Sequence, residues 1–373
     1  MGEQRIRVGI VGVNPQQGWA ARAHIPALRS LPEYEITAVG TSRIESARAA
    51  AEHFGVAHAF ADARELAEHP EVDLVVVTVK VPAHLELVGA ALAAGKHVYC
   101  EWPLARTTEE AELLVAAAES AGVRTAIGLQ ARYAPALLQA RELIGQGYLG
   151  ELGSVTVYSG RAKGAGERMP DWALYTLDRA SAAGTLEVAG GHTLDAVQHL
   201  VGELASLQAD LTIRRSSYLS ADGTRRIAVT SPDQVLVNGR LGDGAAVSAH
   251  IHDGRSAGAG TRIELVGSEG VLVLESSGPA GPGGIQMGAL RLRAGREVGG
   301  ELVELDLPPR HFAADPARTG DEGFHVGQLY ARLAADLRSG ERTVPDFAEG
   351  LRLHRVLDAV RRAAGTGVRQ SIG

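Results

Sequence analysis

Residues 6–19 read IRVGIVGVNPQQGW. A run rich in β-branched residues reaches Gly12, and a second glycine, Gly18, stands just before the alanine-rich, helix-prone stretch Ala20 to Ser30. Strand, glycine turn and helix in that order let backbone N–H groups approach a pyrophosphate at a helix N-terminus. The spacing departs from G-x-G-x-x-G, because Asn14 stands where the second glycine belongs and the loop before Gly18 is longer. Asparagine tolerates a left-handed backbone better than most residues, so the turn is expected to survive.

Working outward, short β-rich runs alternate with helical ones. Strands are predicted at Ile6 to Val13, Tyr34 to Thr41, Val72 to Val79, His97 to Cys100 and Thr125 to Leu129, with helices between them. The fully apolar run Leu74-Val75-Val76-Val77 suits a parallel sheet covered on both faces. This predicts an α/β fold opening with a doubly wound, Rossmann-type parallel sheet over residues 1–128.

After Gly128 the texture changes. A helix from Pro135 to Ile144 ends in Gly147 and Gly150, and strands then follow one another across Gly/Asp turns, from Ser154 to Ser159 through Val271 to Leu274. A second, α+β domain over 129–373 with a mostly antiparallel open sheet is expected, closed by helices near Phe324 to Arg338 and Phe347 to Ala364. The Gly/Pro-rich stretch Gly278 to Gly284 reads as a loop inside it.

Composition narrows the function classes. A chain of 373 residues makes two domains the natural prior. A net charge of -7, with no basic stripe, argues against nucleic-acid binding. No apolar run approaches the ~20 residues of a membrane span, and the single cysteine, Cys100, excludes an internal disulfide. A cytoplasmic protein, neither membrane-bound nor nucleic-acid-binding, is expected. Where an NAD site usually places an acid, the second strand ends in Gly40-Thr41-Ser42-Arg43. An arginine with small hydroxyl residues can hold a 2′-phosphate, so NADP is favoured, with NAD possible if Arg43 is only a solvated helix-start residue.

On three segments the chain resembles the Gfo/Idh/MocA oxidoreductase family: Val8 to Leu28, Val72 to Ala105, and Gly191-His192-Thr193-Leu194-Asp195. Gly18-Trp19-Ala20, Glu101-Trp102, and the run Gln146 to Gly150 look most like the branch of the fungal galactose-regulon repressor. The resemblance implies cofactor contacts from Gly12, Asn14, Gly18, Trp19 and the Thr41-Ser42-Arg43 turn, then from Lys80, His84, Glu101 and Trp102. It also implies a homo-oligomer and a sugar or cyclic polyol as substrate, Arg132, Tyr133, Trp172, Tyr175 and His192 being the candidate contacts. No metal is implied.

The dehydrogenases of this family carry Glu-Lys-Pro, whose lysine helps deprotonate the substrate; here the sequence is Glu101-Trp102-Pro103, and tryptophan has no titratable group. The acid four residues before the family's histidine is replaced by Val188, with Glu187 one residue out of register. The remaining candidates for catalysis are His192, with an unperturbed pKa of ~6.5, Asp195 on the same helical face, and Lys80. His192 could instead hydrogen-bond a ligand or the backbone, and Lys80 could contact cofactor phosphate or ribose. Two functions remain open: an NAD(P)-dependent oxidoreductase of a sugar or polyol, and a non-catalytic dinucleotide-binding regulator that grips a protein partner. A lyase or a glycosidase with transient cofactor chemistry is a third class.

Overall fold

The computed structural model describes residues 5–16, 18–255, 257–277 and 283–372. Its first strands are β1 (Ile6–Val11), β2 (Tyr34–Gly40), β3 (His58–Phe60), β4 (Leu74–Val77), β5 (His97–Cys100) and β6 (Thr125–Ile127). They form one all-parallel sheet in the order β3-β2-β1-β4-β5-β6. All four residues of β4 are buried, as a strand covered on both faces requires. The connecting helices are α1 (Ile25–Arg29), α2 (Ile44–Phe54), α3 (Ala63–Glu68), α4 (His84–Ala93) and α5 (Thr108–Ala121). Their ends are chemically marked. Thr107 caps α5 by accepting the Glu110 N–H, and left-handed Gly55 and Gly122 terminate α2 and α5.

After α6 (Pro135–Gly145) come β7 (Leu152–Gly160), α7 (Gly191–Val201), β8 (Leu204–Thr212), β9 (Ser217–Leu219), β10 (Arg226–Ala228), β11 (Gln234–Leu241) and β12 (Ala246–His252). β13 (Gly260–Gly267), β14 (Val271–Ser277), β15 (Ala289–Gly295), β16 (Val303–Glu304), α8 (Phe324–Ser339), α9 (Phe347–Thr366) and β17 (Gln370–Ser371) complete the chain. The second sheet has nine strands in the order β16-β15-β14-β13-β7-β12-β11-β8-β17. It is antiparallel except where β7 runs parallel to β12. Strict alternation of buried and exposed positions along β11 marks a sheet with one face on the core. Five of the seven residues of the Gly278 to Gly284 loop, 278–282, lie outside the described residues.

By contacts the chain divides into a unit of residues 1–130 and 313–354 and a unit of residues 131–312 and 355–373. Sequence order alone assigns 313–354 to the second domain, yet this segment completes the first. Phe324, Leu329, Tyr330 and Leu333 of α8 are buried there, and Tyr330 packs edge-on against Tyr34 and at a tilt against Tyr99, 5.4 and 4.9 Å between ring centroids. The Ile127 N–H donates to the Pro345 carbonyl, which continues hydrogen bonding beyond edge strand β6. No helix among the described residues is long and apolar enough to cross a membrane.

Candidate functional site

In the first unit the order in which strands are added reverses between β1 and β4, and a cavity of about 930 Å³ opens there at the carboxyl ends of the strands. Such a switch point is where open α/β sheets bind ligands. Gly12 has φ +100°, and a Cβ on it would lie 2.7 Å from Val79 Cγ1, so the turn needs glycine twice over, for conformation and for close approach. Gly18, at φ +111°, needs glycine for conformation alone. Asn14 behaves differently from the sequence expectation. Among the described non-glycine residues only Ala182 has positive φ; Asn14 instead shapes the loop by accepting the Gln16 N–H on its Oδ1 at 2.9 Å. Trp19 starts the helical turn that follows, and its buried Nε1 has no hydrogen-bond partner among the described residues.

Thr41 and Ser42 line the cavity, and the Thr41 hydroxyl bonds both the Arg43 backbone and Ser46 Oγ. Arg43 is exposed at the start of α2. It is not the only cation at this place: Arg64 lines the same cavity, its N–H held by Asp62, which caps α3. Sequence reasoning missed Arg64 because only the fold brings the start of α3 beside the end of β2. The glycine turn, the cavity and two exposed cations with no acid at the end of β2 fit a dinucleotide.

The other first-unit candidates are placed as follows. Lys80 is exposed, just past β4. His84 is fully buried with Nδ1 2.8 Å from the Pro103 carbonyl and Nε2 3.1 Å from that of Val79, and burial pushes its pKa down. Its ring thus ties the turn after β4 to the turn after β5. Trp102 is 5% exposed, its ring 4.9 Å from that of His354, so the residue in the lysine's place is packed into the unit. Glu101 lies over Gly128, where a Cβ would come within 2.9 Å of its Oε1. His24, buried and 2.7 Å from the Tyr330 hydroxyl through Nδ1, brings Nε2 to 3.0 Å from Glu101 Oε1. Neither atom has a hydrogen-bond partner among the described residues, so the pair is a close polar contact and not a hydrogen bond. His24, Gly128 and Tyr330 were not legible as site residues.

In the second unit, His192 stands in the first turn of α7, 3% exposed. Burial, helped by the charge of Arg161, lowers its pKa to about 3, which corrects the unperturbed value assumed from sequence. Asp195, 1% exposed, is gripped by Arg132 with Nη2–Oδ1 at 2.6 Å and Nε–Oδ2 at 3.0 Å. One candidate for substrate binding and one for proton transfer are therefore a single buried ion pair, and neither is poised as sequence alone suggested. Glu187 is also committed, to Arg361 at 2.8 Å and to the Gly184 N–H at 3.0 Å. Tyr133 is buried, Trp172 is 57% exposed, and burial raises the pKa of the partly buried Tyr175.

A polar cluster that the sequence did not reveal lies in the same unit. Asp253 accepts from Arg161 (2.5 and 2.8 Å), Thr185 (2.8 Å) and Lys163 (3.2 Å), and Lys163 also reaches Thr176 Oγ1 at 3.1 Å. Burial pushes the Lys163 amine down, while the neighbouring cations hold the Asp253 carboxyl well below the usual carboxylate range. The parallel β7–β12 pairing sets Gly160 beside His252, and hence Arg161 beside Asp253.

The low basicity of His192 has a measurable consequence. Its folded value lies below the unfolded ~6.5, so the unfolded chain takes up the extra proton. The stability is complete above pH ~6.5 and declines as pH falls towards about 3, with roughly 2–3 kcal/mol lost by pH 4.5. His192→Gln should flatten that limb of urea unfolding measured from pH 7 to 4.5. A wild-type slope retained in the variant would show that His192 titrates normally.

The family described as "Oxidoreductase family, NAD-binding Rossmann fold" matches residues 6–129, and that described as "Gal80p, C-terminal domain" matches 135–276. The galactose/lactose metabolism regulatory protein GAL80 of Saccharomyces cerevisiae is 30% identical over 361 residues, covering 92% of this chain and 82% of its own. The scyllo-inositol 2-dehydrogenase (NADP(+)) IolW of Bacillus subtilis is 26% identical over 368 residues, covering 96% and 94%. The structure of levoglucosan dehydrogenase with NADH and levoglucosan superposes with TM-score 0.85 over 99% of this chain and 100% of that one; at 21% identity it shows the shared fold.

Proposed function

We propose, for a chain that belongs to the Gfo/Idh/MocA oxidoreductase family, an NADP-preferring dehydrogenase of a sugar or cyclic polyol. The observation that carries the reading is the cavity at the β1/β4 switch point, with Gly12 in its floor, Arg64 on its wall and Arg43 beside it. When bound, the nicotinamide supplies the hydride acceptor. The chain's own part is to hold the dinucleotide through the Gly12–Gly18 turn and the two arginines, to keep Glu101 fixed over Gly128, and to accept the hydroxyl proton at Lys80 Nζ after that ammonium has released a proton to water. A named relative that uses NADP(+) on an inositol supports the substrate class and the cofactor. Trp102 favours a second reading, a dinucleotide-dependent regulator, as does the relative named a regulatory protein. Turnover of NADP with a panel of sugars and cyclic polyols tests the first reading; no turnover with any of them would favour the second.

The cofactor preference has its own test. Arg43→Ala and Arg64→Ala should each weaken NADP by about 1–2 kcal/mol, the lower range for charge-assisted bonds because both side chains are exposed, and leave NAD unchanged. Equal losses for both cofactors in fluorescence titration would remove these residues from a 2′-phosphate pocket.

A further inference from the structure

The sequence offers no metal motif, since His58, His69 and Glu71 are scattered among ordinary surface residues. The fold gathers them. His58 opens β3, while His69 and Glu71 belong to the turn between α3 and β4. One ligand atom from each lies within 4.8 Å of the others, and the two imidazole rings are 4.2 Å apart. We propose that His58, His69 and Glu71 bind a divalent transition-metal ion of the zinc class, and that the ion staples the two ends of segment 58–71.

The donor chemistry selects the ion. Two imidazole nitrogens and one carboxylate form a borderline N/O set suited to zinc, with a fourth position left for water, whereas calcium and magnesium require oxygen ligands. The His58 ring is already set against the carboxylate, its Nε2 lying 2.6 Å from Glu71 Oε2. The Glu71 N–H donates to His69 Nδ1 at 3.2 Å, a bond that a metal ion taken by this ring would replace. Arg7, the nearby cation, is paired with Asp73 at 2.7 Å. The side chains of His58 and Glu71 are 32% and 54% exposed, which leaves an ion a way in.

The stapled segment has a place in the fold that makes such an ion consequential. Between His58 and His69 run Asp62, Ala63 and Arg64, which form one wall of the cavity at the switch point. Fixing both ends of this segment would hold that wall, whatever ligand the cavity takes.

The full-length protein, stripped with EDTA, should take up one equivalent of zinc in calorimetry and give cobalt(II) bands of four-coordinate intensity. Zinc should also raise its melting temperature. His69→Ala and Glu71→Gln should each weaken zinc by at least about tenfold. Both variants are checked by circular dichroism in EDTA, and Glu71→Gln, at an exposed position, keeps the test valid if His69→Ala fails to fold. Absence of one-equivalent binding at micromolar zinc overturns the proposal. So does binding that survives undiminished in Glu71→Gln and a His58→Ala/His69→Ala double variant, or zinc that binds without moving the melting temperature. None of these readouts depends on NADP turnover, so this site and the dehydrogenase reading fail separately.

Discussion

Asp253→Ala is expected to destabilise the protein by about 3–5 kcal/mol in urea unfolding, the range for removing one partner from a buried charge network. Asp253 is 4% exposed and accepts four contacts from three side chains, two of them cations. Without it, Arg161 cannot shed its charge, while Lys163, whose amine burial already pushes down, can release its proton and recover part of the loss. Asp253→Asn keeps the shape and two of the acceptor positions, so it should cost less than alanine and more than a surface change. The acid limb gives a second readout. A carboxyl depressed on folding stabilises the protein fully above the unfolded value of ~3.9 and loses that contribution as pH falls below it. The asparagine variant should lack that decline, which lies below the pH 7 to 4.5 range in which His192 is tested. A change under about 1 kcal/mol for alanine would mean the cluster is hydrated rather than buried.

The cluster also shows where reading a sequence stops. The βαβ alternation up to Thr125 and the glycine turn at Gly12 are local signals, because period, glycine placement and helix caps act within a few residues. The structure accordingly places helices α2 and α5 in the gaps between the predicted strands. Strand β3 was missed, being three partly buried residues without alternation. Parallel pairing of β7 with β12, with roughly 90 residues between them, leaves no mark in either strand, so Arg161 and Asp253 could not be paired beforehand. The same holds for Arg132 with Asp195, and for Tyr330 with His24. Residue type identified which side chains can do chemistry. Their partners, which decide whether they do, come from topology.

That distinction changes the weight of each candidate for proton transfer. Trp102 has no proton to move and is packed against His354; Asp195 is held by Arg132; His192 has a conjugate acid near 3 and accepts a hydrogen bond far better than it keeps a proton. The carboxylate of Glu101 is turned towards His24. Of the residues singled out from sequence, Lys80 is an exposed residue at the carboxyl edge of the first sheet, one position beyond Val79, which lines the cavity.

Lys80→Met should therefore lower turnover of the responsive sugar or polyol by about 10²- to 10⁴-fold, the usual worth of a positioned acid or base. NADP affinity should stay within about threefold, because the dinucleotide is held by the Gly12 turn and the arginines in this reading. His192→Ala, by contrast, should act mainly through KM, since a residue that only accepts a hydrogen bond contributes binding common to ground and transition states. The two variants separate the alternatives for Lys80: loss of NADP binding with little loss of turnover at saturation would make it a phosphate or ribose contact. Exchange of the two phenotypes, with His192→Ala silencing turnover and Lys80→Met mild, would return the proton to His192 despite its low basicity. If the wild type turns over nothing in the panel while NADP alters its affinity for a co-purifying protein, the lysine has no proton to accept. Trp102 is then the mark of a chain that kept the dinucleotide site of its family for regulation.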